Sequence, residues 1–139
     1  MLPNIREHSL MVGRVAGFIG RGLARAGRNL SLELIVSSAL LHDIAKTPCL
    51  ETELRHDKLG REICLRHGFD ELAGIVAEHV VLKGGVPELC TEKEIVYYAD
   101  KRVLHDEIVP LEARLAYILH RYDNGDQELH ARIRRNFAQ

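Results

Sequence analysis

The chain has no tryptophan, and its aromatic residues are only 3 Phe and 4 Tyr in 139 residues. β-Branched runs are short as well, so the usual material of a sheet is missing. Leu, Ala, Ile, Glu and Arg dominate instead and favour helix. Three widely spaced cysteines, Cys49, Cys64 and Cys90, are odd in number and form no C-x-x-C pair. That fits a reducing cytoplasm better than a disulfide framework. No apolar run approaches the ~18 residues of a membrane span, and no signal peptide is visible, so a soluble cytoplasmic protein is expected. Net charge is −1, which leaves no global electrostatic case for nucleic acid or an anionic membrane as partner. P-loop, G-x-G-x-x-G and G-x-S-x-G patterns are absent, and with them the nucleotide-handling and hydrolase devices they carry.

What the chain does have is 8 histidines, more than its size and composition call for. Periodicity places several on helix faces that otherwise point inward. Asn4 and Glu7 read as a capping box after Pro3, opening a helix whose apolar stripe is His8, Met11, Val12, Val15, Ile19 and Leu23. Gly13, Gly17, Gly20 and Gly22 weaken that helix unless they serve close packing. After a turn at 26–29, Ser31 caps a second helix, apolar almost all round from Leu34 to Leu41 and therefore central. It ends before Pro48, with 47–54 read as a loop. His56 opens a third helix with Leu59, Ile63 and Cys64 inward and Gly68 at its end. Asp70 reads as the cap of a fourth, carrying Leu72, Ile75, Val76 and His79. Lys83 to Pro87 reads as a mobile loop, and Thr91 with Glu94 as a second capping box. The fifth helix presents Ile95, Val96, Ala99, Asp100 and Val103. Pro110 stands just inside the start of a sixth, and a polar helix runs from Gln127 to Phe137. The expected architecture is all-α: one domain over 1–139, a bundle of about six or seven helices, with a core at about 5–120 and a C-terminal helix at 126–137.

His8, His42-Asp43, His79 and Asp100 share one property: each is a metal-capable side chain on a face that otherwise enters the core. A single buried histidine or carboxylate is readily satisfied by neighbours. Four helices each leaving one unsatisfied would cost ~1–3 kcal/mol or more apiece, and a single cation relieves them all. Two imidazoles and two carboxylates from His8, His42, Asp43 and Asp100 make a mixed N/O site. It suits Mn, Fe, Co, Ni or Zn better than calcium, and the lack of cysteine argues against structural zinc.

The order His8, then His42-Asp43, then Asp100 resembles the HD-domain superfamily of metal-dependent phosphohydrolases, in which H…HD…D binds a divalent ion. The contexts are similar too: Leu40-Leu41-His42-Asp43-Ile44-Ala45-Lys46 and Tyr98-Ala99-Asp100-Lys101 look like the family's L-L-H-D-I-G-K and A-D-K segments. His56-Asp57-Lys58-Leu59-Gly60 and His79 fall where members with two metals place H-x-x-x-G and a further histidine. The resemblance therefore implies a second ion on His56 and His79. Val80 departs from the consecutive His-His of several such members. Asp43 is a terminal ligand if one ion binds and a bridge if two bind, and the sequence leaves that open. His105-Asp106 is a second HD dipeptide without a buried helix leading into it, and reads as a surface turn. His67, His120 and His130 receive no chemistry.

The resemblance implies hydrolysis of a phosphate ester or anhydride of a small metabolite by metal-activated water, with a nucleotide as the expected class. Asp43 is the candidate proton acceptor. Lys46, one turn beyond His42, and Lys101, beside Asp100, are candidate phosphate contacts, with solvated charge as the alternative for each. Arg14 and Lys83 are weaker candidates. Specificity is expected in the loops at 47–55 and 83–90. No G-Y-P triplet follows the HD segment, which argues against the cyclic-diguanylate phosphodiesterase branch. The alternative reading is a metal-binding but non-catalytic HD module, sensing a ligand or regulating a larger protein. A homo-oligomer is compatible with either.

Overall fold

The computed structural model describes residues 1–85 and 87–139. The loop expected at Lys83 to Pro87 thus includes one residue, Val86, that lies outside the described residues. Helix α1 (Pro3–Arg25) runs unbroken through all four of its glycines. Three of them, Gly13, Gly17 and Gly20, lie on its buried face. A Cβ at Gly20 would meet Ile35 Cδ1 at 2.8 Å and Leu32 Cδ2 at 2.9 Å. Glycine there lets α1 lie close against α2 (Leu32–Leu41), and the loss of intrinsic helix propensity is offset by packing. Ser31 Oγ accepts from the Leu34 N–H and starts α2 as expected.

The end of α2 is where the chain departs from regular helix. A turn at 42–45 leads into α3 (Lys46–Cys49), a single helical turn, so the stretch read as loop from 47 is partly helical. Pro48 is tolerated because it sits in a first turn, where N–H groups have no intrahelical acceptor. Helix α4 (His56–Arg66) ends at Gly68, whose φ of +77° closes a Schellman motif: Phe69 N–H donates to Cys64 O at 2.8 Å, and Gly68 N–H to Leu65 O at 3.2 Å. Helix α5 (Asp70–Glu78) packs on α4 through Cys64, Ala73 and Val76, and α6 (Glu92–Lys101) opens with the Thr91–Glu94 capping box. A two-residue hairpin follows, β1 (Val103–Leu104) with β2 (Glu107–Ile108), then α7 (Leu111–Arg121) and α8 (Gln127–Ala138).

The fold is thus all-α, with seven helices of nine residues or more and almost no sheet among the described residues. Val12, Ala16, Ile35, Ala39, Ile75, Ile95, Val96, Ala99 and Val103 form the main core, drawn from α1, α2, α5, α6 and β1. Full burial of each larger aliphatic side chain contributes about 1.5–3 kcal/mol. α7 and α8 contribute no buried residue and pack chiefly on each other.

Four local expectations are corrected. Asn4 and Glu7 do not cap α1, because Pro3 already occupies its first position and Leu2 the cap. Asp70 lies inside the first turn of α5 rather than at its cap, where its charge still suits the helix dipole. Val103 belongs to β1, and Pro110 is the cap of α7 rather than its first helical residue. No helix among the described residues is long and apolar enough to cross a membrane.

Candidate metal centre

Two helices end at the same place in the same way. His42 is the C-cap of α2 and His79 the C-cap of α5. Each ring turns back so that Nδ1 meets the carbonyl three residues earlier, Ala39 O and Val76 O, both at 2.6 Å. From α1, His8 Nδ1 meets the carbonyl of His105 in the hairpin turn at 2.9 Å. A carbonyl only accepts, so in all three rings Nδ1 carries the proton. A neutral imidazole then turns a bare Nε2 lone pair inward.

Those lone pairs face carboxylates. His8 Nε2 lies 2.9 Å from Asp100 Oδ1, and His42 Nε2 lies 3.4 Å from both Asp100 Oδ1 and Asp43 Oδ2. On the other side of Asp43, Oδ1 is 3.4 Å from His56 Nε2 and 3.5 Å from His79 Nε2. The two imidazole nitrogens of that pair are 3.2 Å apart. Lone pair against lone pair in a buried site is repulsive, and only a proton or a cation reconciles it.

The centre shows this directly at His42, which is fully buried with an Nε2 that has no hydrogen-bond partner among the described residues. Burial pushes its pKa down, yet the charges and acceptor oxygens of Asp43 and Asp100 override that and raise it to about 10. Burial likewise works against ionised Asp43 and Asp100, but their histidine neighbours hold both carboxyls well below the ordinary range. His56 goes the other way: burial and then the neighbouring His79 lower it to about 4, leaving a neutral ring with a free lone pair. The site demands positive charge at the inward nitrogens. His8, His42 and Asp43 offer donor atoms within 4.8 Å of one another, as do Asp43, His56 and His79. The donors are N and O with no sulfur, which fits a divalent transition metal. The carbonyl ends of α2 and α5 add partial negative charge in the same direction.

The residues singled out by sequence therefore converge, with His56 brought in by α4. Gly60, one turn after His56, lies where a Cβ would come within 2.8 Å of Val76 Cγ1, so α4 can approach α5 closely enough for His56 to reach. Lys46 Nζ pairs with Asp43 Oδ2 at 3.1 Å and is a third exposed at the cavity mouth. Lys101 is buried. Its ammonium lies 3.3 Å from the centroid of the Tyr97 ring, and burial lowers its pKa to about 8. Arg14, Lys83, His67, His120 and His130 do not line the cavity.

The profile of the HD domain family matches residues 5–125. The chain belongs to the HD domain family. Members of this family are in general metal-dependent hydrolases, and the His/Asp groups here are able to hold a metal. An uncharacterized protein of Methanocaldococcus jannaschii is 29% identical over 126 residues, covering 76% of this chain and 73% of that protein. No solved structure matches.

Within this HD domain several contributors escaped sequence reading. His105 does sit in a turn, with φ of +55°, yet its carbonyl is what orients His8. Asp57 is buried beside the site and held by the Arg55 guanidinium, an i,i+2 pairing with no motif to announce it. The cavity over the centre, about 630 Å³, is bordered by Leu50, Leu54 and Arg55 of the first expected specificity loop. Its other wall comes from α7 and α8, including Arg114, Tyr117 and Phe137, and not from any described residue of 83–90. An amphipathic C-terminal helix carries no signal for which surface it covers.

Proposed function

We propose that this protein is a metal-dependent phosphohydrolase that cleaves a phosphate ester or anhydride of a small metabolite, a nucleotide by class. His8, His42, Asp43 and Asp100 would hold one divalent ion, and Asp43, His56 and His79 a second. The observation that carries this reading is the division of Asp43: Oδ2 faces His8 and His42, while Oδ1 faces His56 and His79. That division would let Asp43 serve both ions as a bridge, rather than one as a terminal ligand. Manganese, iron, cobalt, nickel and zinc all suit the donor set.

Such ions supply a bound water acidified from 15.7 toward ~7 and a Lewis-acidic contact for a phosphoryl oxygen. The chain does the rest. The carbonyls of Ala39, Val76 and His105 fix three imidazoles with their Nε2 atoms inward, so no reorganisation is needed at the moment of reaction. With metal bound, Asp43 would orient the attacking water and serve as its proton acceptor. Its low basicity makes orientation the larger share of that role. Lys46, at the mouth beside Asp43, meets the charge that builds on the phosphoryl group. The aromatic rings of Tyr117 and Tyr122 on the far wall support a nucleotide, whose base has a face to stack there.

The test is metal content of the purified chain by elemental analysis, followed by turnover of nucleotides, phosphomonoesters and polyphosphates with and without added manganese, nickel or iron. Two ions per chain and metal-dependent phosphate release are expected. Tight metal with no release from any of these substrates would sink the enzymatic reading.

A further inference from the structure

Beyond the histidines the cavity wall changes sign. α7 and α8 contribute Arg114, Arg121 and Arg132 to it and no carboxylate. Arg121 is engaged with the Tyr117 hydroxyl at 3.4 Å. Arg114 is not engaged: its Nε is buried and has no hydrogen-bond partner among the described residues. On the neighbouring wall, Lys101 is 7% exposed and rests its ammonium on the faces of Tyr97 and Phe137. No carboxylate of the described residues lies within ion-pair distance of either cation, Asp100 beside Lys101 being turned toward His8 and His42. Arg114 and Lys101 line the same cavity.

Two half-buried or buried cations in one cavity, neither ion-paired with a carboxylate, are costly in a protein interior. An anion from outside the chain removes the cost. The guanidinium fork of Arg114 suits two oxygens at once, while Lys101 offers a point charge held by two rings. We propose that Lys101 and Arg114 form a second phosphate subsite on the α6–α7 wall of the cavity, so that the molecule cleaved at the histidine cluster carries a further phosphate group. This rests on the phosphohydrolase reading for the identity of the first site, but the subsite itself can be tested without turnover.

The probe is inorganic phosphate, added to the full chain loaded with zinc and labelled with ¹⁵N. The Arg114 Nε–H resonance is expected to shift and saturate, and calorimetry should find two phosphates bound. Arg114→Gln and Lys101→Gln should each weaken the second binding event by at least about ten-fold. In Arg114→Gln, zinc content and phosphate binding at the first site should stay unchanged. Arg114 is half-buried on a helix with no fully buried residue, so its substitution leaves the core intact even if that of Lys101 does not. An Arg114 resonance indifferent to phosphate, or wild-type phosphate binding in Arg114→Gln, would overturn the subsite while leaving the metal centre standing. A chain that takes up no zinc yet still shows the Arg114 shift would do the reverse.

Discussion

The two halves of the histidine cluster use the same side chain on very different supports. His8, His42 and Asp100 come from α1, α2 and α6, the helices that build the main core, and His42 is fully buried. Both imidazoles of that half are clamped at Nδ1 by a backbone carbonyl. In the other half His79 is clamped but His56 is not, among the described residues. His56 stands at the first position of α4 with its side chain 29% exposed. The first half also has two carboxylates and the second only the remaining oxygen of Asp43. Rigidity and negative charge both favour the first half, so it should bind its ion tightly. The second should bind more weakly and exchange faster, a difference of support rather than of ligand chemistry.

Breaking the residue the halves share should have the largest effect. Asp43→Ala is expected to empty both positions and lower phosphate release by at least about 10³-fold, read by elemental analysis and the substrate screen. Unchanged metal content in that variant would overturn the whole assignment. Breaking the halves separately comes next. His42→Ala should cost both ions, because it also leaves Asp43 and Asp100 facing each other without a cation. His56→Ala should remove one ion and weaken activity by about 10–100-fold. Equal metal loss in the two variants would erase the comparison.

Acidity sharpens it further. His42 in the metal-free chain has its pKa raised from 6.5 to about 10. A raised folded-state pKa gives stability that is fully present below about 6.5 and is lost as pH rises through about 10. The chelated protein should therefore melt at lower temperature as pH climbs across that window, more steeply than His42→Gln. Metal affinity should move oppositely and increase with pH, since the metal must displace that proton. The smallest effect is expected at Gly60→Ala, where the added methyl meets fully buried Val76. A loss of about 1–3 kcal/mol is expected in a denaturant melt, with the second ion weakened more than the first. Equal weakening of both ions would show that α4 does not set the second half.

Much of the centre was legible because its ligands sit on strongly periodic helices. Once α1, α2 and α6 are recognised, His8, His42 and Asp100 are visibly out of character for an inward face. His56 was harder, since a histidine opening a helix looks like any polar residue at a helix start. It was found by its H-x-x-x-G context, whose glycine proves to be a packing requirement against Val76. The helix starts at Asn4 and Asp70 were misplaced because capping residues are also common one turn inside a helix, and only backbone angles decide.

By itself the sequence determined the helical class, the central apolar run of α2 and which side chains had to be reconciled with burial. Those are local matters of periodicity and solvation. Tertiary structure decided that Asp43 faces both ways, that a carbonyl from the hairpin at His105 orients His8, and that α7 and α8 wall the cavity with arginines. Each of these depends on the direction in which one element meets another, and no spacing along a single chain encodes that.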